Sequence, residues 1–289
     1  MQQEKFINYL SSEKRFSVHT ITSYSNDVNQ FFLFLSEEYK ITSELSEVNF
    51  QIVRSWIASL LEQGVTPRSV NRKISTLKTF FKFLIREGVI QESPMLKVVA
   101  PKSKKRLPLF VEEDQIESLL NGVEFDDGFI GERDKLIIEL FYVTGIRLSE
   151  LINIKISDLN FDNNLVKVLG KRNKERLIPL STRIVKELQF FIEKYKIDNY
   201  LFTNLGGTKV YTKLVYRVVN KYIGKISSIN KKSPHILRHT FATHMLNNGA
   251  DINAIKELLG HANLSATQVY THNTIEKLKS VYKQAHPRA

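Results

Sequence analysis

The stretch SPHILRHTFATHMLNNGADINAIKELLGHANLSATQVYT, residues 233–271, brings His235, Arg238, His261 and Tyr270 close together along the chain. These are the side-chain types needed to break a phosphodiester bond by covalent catalysis without a metal ion. The Tyr can supply a nucleophilic oxygen, the Arg can hold phosphate oxygens, and the histidines can move protons or donate hydrogen bonds. The stretch therefore predicts a site for phosphoryl transfer.

Simpler explanations exist for the single residues of this stretch. His235 and Arg238 are three apart, so one helical face can present both, but His235 and His239 at i and i+4 also suit a metal. The stretch lacks an HExxH motif and any cysteine, which argues against zinc. A single Tyr on a helix is ordinarily a core residue. The ordered pattern H-x-x-R, L-G-H and Tyr is more specific than its parts. Residues 263–267 predict a turn and a capped helix that carries Tyr270.

Composition favours a nucleic-acid partner. The 289 residues predict two domains, and 42 Lys and Arg against 30 Asp and Glu leave a net charge of +12. A membrane surface is the rival partner, but no long apolar run or lipidation signal supports it. The absence of cysteine excludes disulfides and thiolate metal sites. No apolar signal region follows Met1, so we expect a cytoplasmic protein without membrane contact.

Residues 1–99 predict a helical DNA-binding domain. Apolar residues recur every three to four positions over 20–39 and 49–63, and Thr66-Pro67 opens a third helix. The polar side of that helix is strongly basic, which is typical of a solvated face but also suits DNA phosphates in a chain of this charge. Its basic residues are Arg68, Arg72, Lys78, Lys82 and Arg86.

Residues 100–108 predict an exposed linker. Two prolines flank Lys102, Lys104, Lys105 and Arg106, a composition typical of an extended connector. The last three of these cations are candidate DNA contacts. The second domain would then span residues 109–289.

The second domain predicts mainly helices around a small antiparallel sheet. One helix is expected to start within 111–114 and another at Ser181, and two more are expected to span 133–144 and 212–226. Residues 165–169 and 176–180 predict two strands joined by a lysine-rich hairpin that carries Lys171. In the motif TGIRLSEL, Gly145 permits a tight junction that would hold Arg147 in place.

Together these segments resemble the tyrosine recombinase and integrase superfamily, most closely its XerC/XerD branch of site-specific recombinases. The similarity covers nearly the whole chain and includes TGIRLSEL, GKRNKERLIPL, HILRHTFATHML, LLGHANLSATQVYTH and the final HPRA. The chemical residues of the family occur here in order as Arg147, Lys171, His235, Arg238, His261 and Tyr270. One departure is Arg172, where Xer proteins commonly have Gly in the hairpin.

The resemblance implies a helical core-binding domain and a catalytic domain that together clamp duplex DNA with paired half-sites. It implies Arg147 and Arg238 on the scissile phosphate, Lys171 as general acid, His235 and His261 at the transition state, and Tyr270 as nucleophile. It further implies a homo- or hetero-tetramer, a Holliday junction, a role in chromosome dimer resolution on the nucleoid, and a septal DNA translocase as partner. No cofactor is expected.

Three other functions remain open from the sequence. A type IB topoisomerase uses similar chemistry, a mobile-element integrase would act on a different site, and a non-catalytic paralogue would only bind DNA. All six chemical positions are filled, which argues against the non-catalytic protein.

The end of the chain predicts an amphipathic helix. An apolar stripe along this helix consists of Ile275, Leu278 and Tyr282. Because so short a helix is only marginally stable alone, we expect the stripe to pack against another surface. Its own domain is one acceptor. The family resemblance implies a neighbouring protomer instead, in which case a chain cut after Thr274 would still fold.

Overall fold

The computed structural model of this chain describes residues 2–42, 44–103, 109–170, 174–227, 229, 232–260 and 272–289. The chain divides into two compact units, Met1–Arg106 and Leu107–Ala289. Each has its own apolar core, one around Phe31, Trp56 and Phe81, the other around Phe141 and Phe241.

The first unit is helical, as predicted. Its α-helices are α1 (Gln2–Asn8), α2 (Val18–Tyr39), α3 (Phe50–Glu62) and α4 (Pro67–Arg86). A π-helical turn, Tyr9–Glu13, continues α1, and a 3-10 turn, Leu45–Glu47, precedes α3.

Side-chain caps explain where the three longer helices of this unit begin. Ser17 accepts a hydrogen bond from the Thr20 amide at 3.3 Å, and Asn49 accepts one from the amide three residues on at 3.1 Å. Thr66 caps α4 in the same way, with Pro67 at its first position. These contacts satisfy amides that the helix itself cannot pair.

A buried carboxylate fastens α2 to α4. Asp27 is 1% exposed and accepts hydrogen bonds from Lys73 Nζ and Thr76 Oγ1, both at 2.9 Å. Arg72 also pairs with it. Arg72 was predicted to contact DNA. Its guanidinium is instead paired in part with the Asp27 carboxylate, although 45% of its side chain stays exposed.

The second unit is mainly helical with one small sheet, as predicted. Its helices are α5 (Glu113–Gly122), α6 (Gly128–Thr144), α7 (Leu148–Leu151), α8 (Thr182–Tyr195), α9 (Thr212–Ile226), α10 (Pro234–Asn247), α11 (Ile252–Leu259) and α12 (His272–Ala285). The prediction placed the start of α6 at Arg133, five residues late, because Gly128 and Gly131 lie in its first turn.

The sheet has three antiparallel strands in the order β1 (Leu159–Asn160), β2 (Leu165–Leu169) and β3 (Glu175–Pro179). The β2–β3 hairpin was predicted, whereas the two-residue β1 is too short to give a periodic signal. Val166 pairs with Ile178, and both are fully buried. Gly170 donates to the Lys174 carbonyl at 2.7 Å, which closes the base of the hairpin.

The C-terminal helix α12 packs on its own domain in the single chain. Leu278 and Tyr282 of the predicted stripe are 4% and 3% exposed. The following His286 donates from Nε2 to the Tyr142 carbonyl at 3.2 Å and accepts at Nδ1 from the Arg288 amide. Burial lowers the pKa of His286 to about 3, so the ring is neutral in this contact.

No helix within the described ranges is both long and apolar enough to cross a membrane.

Candidate active site

The candidate site is built on the C-terminal end of α11, where three consecutive backbone carbonyls each accept a hydrogen bond from a different arginine. Arg176 donates from Nε to Leu258 at 2.7 Å, Arg238 to Leu259 at 2.6 Å, and Arg147 to Gly260 at 2.9 Å. Carbonyls at a helix end lack partners within the helix and carry its negative dipole end. The backbone carbonyls of the LLG motif, residues 258–260, therefore hold three guanidiniums close together, and His261 is the next residue in the sequence.

Two glycines make this close packing possible. Gly145 ends α6 with φ +58°, and a Cβ there would lie 2.5 Å from Phe241 and 2.8 Å from Leu259. Gly260 ends α11 with φ +64°, and its Cβ would lie 3.1 Å from Arg176. Both positions need a left-handed backbone and the absence of a side chain. The predicted tight junction at Gly145 is confirmed.

Arg147 is held at the start of α7 by Glu150. Its backbone amide donates to Glu150 Oε2 at 2.6 Å, and its Nη1 donates to Oε1 at 2.9 Å. The Arg147 side chain remains 32% exposed, whereas the Glu150 side chain is 1% exposed. The carboxylate thus fixes the base of Arg147 and leaves part of its guanidinium open to a ligand.

Arg238 reaches the same place from α10. It donates to the Gly145 carbonyl at 2.6 Å as well as to Leu259, and it is 9% exposed. Both of these partners are neutral carbonyls, so the two contacts do not themselves compensate its charge. Burial, together with the charges of Arg147 and Arg176, lowers the pKa of Arg238 to about 9. The guanidinium is still protonated at neutral pH and would gain from a nearby anion.

Glu150 and Arg176 were not predicted as site residues. Arg176 binds both carboxylate oxygens of Glu150, at 2.7 and 2.9 Å. Burial alone would raise the pKa of Glu150, but the hydrogen bonds and charge of Arg176, with those of Arg147, leave it below the ordinary value. Three arginines around one ionised carboxylate give the cluster an excess of positive charge.

The remaining predicted chemical residues divide into two groups. His235 lies on the first turn of α10 with an exposed side chain, on the same helix as the buried Arg238. Lys171, His261 and Tyr270 lie outside the described residues, and so does the predicted turn at 263–267. Among the described residues, no group of three or more His, Cys, Asp or Glu is placed to hold a metal ion.

Tyr282, the next tyrosine along the chain after Tyr270, is part of the core. It is 3% exposed, and its hydroxyl has no hydrogen-bond partner among the described residues. Burial raises the pKa of its phenol above the ordinary value. A buried, more weakly acidic phenol is a poor nucleophile for a DNA phosphate.

The candidate DNA contacts of the first unit are only partly described. Arg68, Lys78 and Lys82 are exposed along α4, and Arg72 is exposed apart from its bond to Asp27. The linker cations Lys104, Lys105 and Arg106 lie outside the described residues.

Both units match known protein families. Residues 110–277 match the phage integrase family, and residues 4–88 match the phage integrase N-terminal SAM-like domain. The chain is 41% identical over 292 residues to the tyrosine recombinase XerC of Staphylococcus carnosus, which covers 99% of this chain and 97% of the relative. This chain belongs to the phage integrase family of tyrosine recombinases.

Further comparisons agree on family and fold. The tyrosine recombinase XerC of Pelotomaculum thermopropionicum is 37% identical over 302 residues, covering 99% of this chain and 98% of the relative. The crystal structure of the XerH recombinase bound to palindromic difH substrate superposes with a TM-score of 0.73 at 18% identity, covering 99% and 82% of the two chains. The resemblance to tyrosine recombinases that was predicted from the sequence motifs is confirmed.

Proposed function

We propose that this tyrosine recombinase cleaves and rejoins duplex DNA at a specific site through Tyr270. The observation that best supports this is the placement of Arg147 and Arg238 on adjacent carbonyls at the end of α11. Two hydrogen bonds use only part of the five N–H groups of a guanidinium, so both side chains keep donors for an anion. A phosphodiester between them would receive hydrogen bonds on its non-bridging oxygens.

The chemistry follows from these charges. A free phenol has a pKa of about 10, and two nearby guanidiniums favour its ionised form. Attack by the Tyr270 oxygen forms a phosphotyrosyl bond to the 3′ end and releases the 5′ oxygen, which takes a proton from Lys171. The reaction of a second 5′-hydroxyl with this link reverses the step. Because the covalent link conserves the phosphodiester, we propose that rejoining needs no ATP, and that the arginines supply the charge neutralisation that a metal supplies elsewhere.

Family membership supports the biological setting. The relatives named XerC suggest chromosome dimer resolution through a Holliday junction, in a homo- or hetero-tetramer on paired half-sites at the nucleoid. A septal DNA translocase as partner belongs to the same proposal. In the first unit, exposed Arg68, Lys78 and Lys82 lie along one helix and suit phosphate contacts.

The proposal is tested by selecting DNA sequences that the full chain binds, then building a nicked suicide substrate from the selected site. We expect a covalent protein–DNA adduct that forms only on this sequence and leaves a free 5′-hydroxyl. Relaxation of any plasmid without dependence on the site would favour a topoisomerase, and binding without adduct would favour a non-catalytic paralogue.

The role proposed for Lys171 gives a selective prediction. Lys171→Ala is expected to slow cleavage of the normal substrate by about 100-fold or more, since the leaving 5′ oxygen then lacks a proton donor. A substrate with a 5′-bridging sulfur should restore the rate, because a thiolate leaves without a proton. Lys174→Ala, which removes an exposed lysine of the same hairpin, is the control. Equal defects on both substrates would instead assign Lys171 to binding.

The C-terminal segment gives a prediction about stability. A chain cut after Thr274 loses Leu278, Tyr282 and His286 from its own core. Because each buried side chain stabilises the fold by about 1.5–3 kcal/mol, the melting temperature should fall by roughly 10 °C or more. The single substitution Lys283→Ala, at an exposed position of α12, is the control. An unchanged melting temperature, with cooperative loading of paired half-sites lost, would mean that α12 serves a neighbouring protomer instead.

A further inference from the structure

Arg176 lies where three parts of the candidate site meet. It is the second residue of β3, so it belongs to the hairpin that carries Lys171. Its Nη1 and Nη2 donate to the two carboxylate oxygens of Glu150 in α7. Its Nε donates to the Leu258 carbonyl at the end of α11. The side chain is 4% exposed, so all of this occurs away from solvent.

The contacts of Arg176 fix the carboxylate that holds Arg147. Glu150 accepts from the backbone amide and Nη1 of Arg147 with the same two oxygens that bind Arg176. A buried carboxylate that loses one of two cationic partners attracts the other more strongly and becomes costly to keep ionised. Without Arg176, Arg147 would therefore be drawn toward Glu150 and away from the open side of the site.

Two glycines bring the backbone close to the Arg176 side chain. A Cβ on Gly260 would lie 3.1 Å from both its Cδ and its Nη1. A Cβ on Gly170, at the base of the hairpin, would lie 3.6 Å from its Nη1 and 3.5 Å from Glu150 Oε1. The hairpin and the residue before His261 thus close on the same guanidinium from two sides.

We propose that Arg176 is a positioning residue for strand cleavage, which acts through Glu150 to set the place of Arg147. Arg176 acts without touching the DNA, because its side chain is 4% exposed and each of its three nitrogens already donates to Glu150 or Leu258. This inference rests on the proposed function, since it assumes that Arg147 contacts the scissile phosphate.

The test compares Arg176→Met with a matched control, Arg133→Met. Arg133 is also 4% exposed and also binds one carboxylate, that of Asp134, and one backbone carbonyl, that of Thr203. Both variants lose a buried ion pair, so both should melt at lower temperature. Only Arg176→Met should slow single-turnover adduct formation on the suicide substrate, by about 100-fold, while half-site affinity stays within about threefold of wild type.

A double variant separates positioning from general destabilisation. If Arg176 acts through Arg147, the pair Arg147→Ala and Arg176→Met should cleave about as slowly as Arg147→Ala alone. Rates that multiply would overturn the proposal, as would an Arg176→Met protein that cleaves as fast as Arg133→Met. Should Arg176→Met fail to fold, the same measurement is made on Arg176→Lys, because an ammonium lacks the planar fork whose three nitrogens reach the two Glu150 oxygens and the Leu258 carbonyl. A wild-type chain that forms no adduct would contradict the proposed function, whereas wild-type cleavage with an unaffected Arg176 variant contradicts this inference alone.

Discussion

Tyr270→Phe is expected to form no covalent adduct with DNA while binding the half-site nearly as tightly as wild type. Only the phenolic oxygen can attack phosphorus, and its removal leaves the aromatic ring and its packing in place. The measurement is denaturing electrophoresis of a labelled suicide substrate, with gel shifts for affinity.

Tyr282→Phe is the matched control for this experiment. The Tyr282 hydroxyl is buried without a hydrogen-bond partner among the described residues, so its removal should change neither cleavage nor melting temperature appreciably. An adduct that persists in Tyr270→Phe would move the nucleophile to another residue.

Arg238→Ala is expected to slow cleavage by on the order of 100- to 1,000-fold, the usual effect of removing one preorganised donor from a developing charge. Arg238 is buried between the ends of α6 and α11, and its hydrogen-bond partners within the described residues are backbone carbonyls, not carboxylates. Its loss should affect the rate more than the affinity, because the candidate phosphate contacts on α4, such as Arg68 and Lys78, remain in place.

Arg238→Lys distinguishes charge from geometry in this prediction. A lysine restores the positive charge but cannot span the carbonyls of Gly145 and Leu259 with a planar group. We expect only partial recovery of the cleavage rate. Near-normal cleavage in Arg238→Ala, in a protein that still melts cooperatively, would remove this residue from the site.

The parts of the fold that could be predicted from the sequence are those set by neighbouring residues, such as helix ends and regular apolar spacing. Thr66-Pro67 marks the start of α4, and Gly145 marks the end of α6 and the tight junction before Arg147, because caps and left-handed turns depend on neighbouring residues alone. The helix over Thr212–Ile226 was predicted with its observed bounds from its apolar spacing. The short strand Leu159–Asn160 was missed because two residues carry no period.

The candidate site was predictable only where a motif named its residues. Arg147 and Arg238 follow from ordered motifs, but Glu150 and Arg176 read as an ordinary helix acid and a strand cation. Their roles come from contacts between residues 26 and 82 positions apart, which no local pattern records. One signal was present: Arg176 is two residues from the buried Ile178 and so shares its face of the strand, and a buried arginine needs a carboxylate.

The docking of α12 shows another limit of sequence reasoning. An apolar stripe on a short terminal helix predicts burial without naming the surface that buries it. The single chain places Leu278 and Tyr282 on their own domain.

The most direct test of the central claim is to digest the trapped protein–DNA adduct with protease and identify the modified peptide by mass spectrometry. The account predicts one phosphotyrosyl linkage, on the peptide that contains Tyr270, joined to the 3′ end of the cleaved strand. A linkage on any other residue, or a phosphate left on the 5′ side of the break, would contradict it.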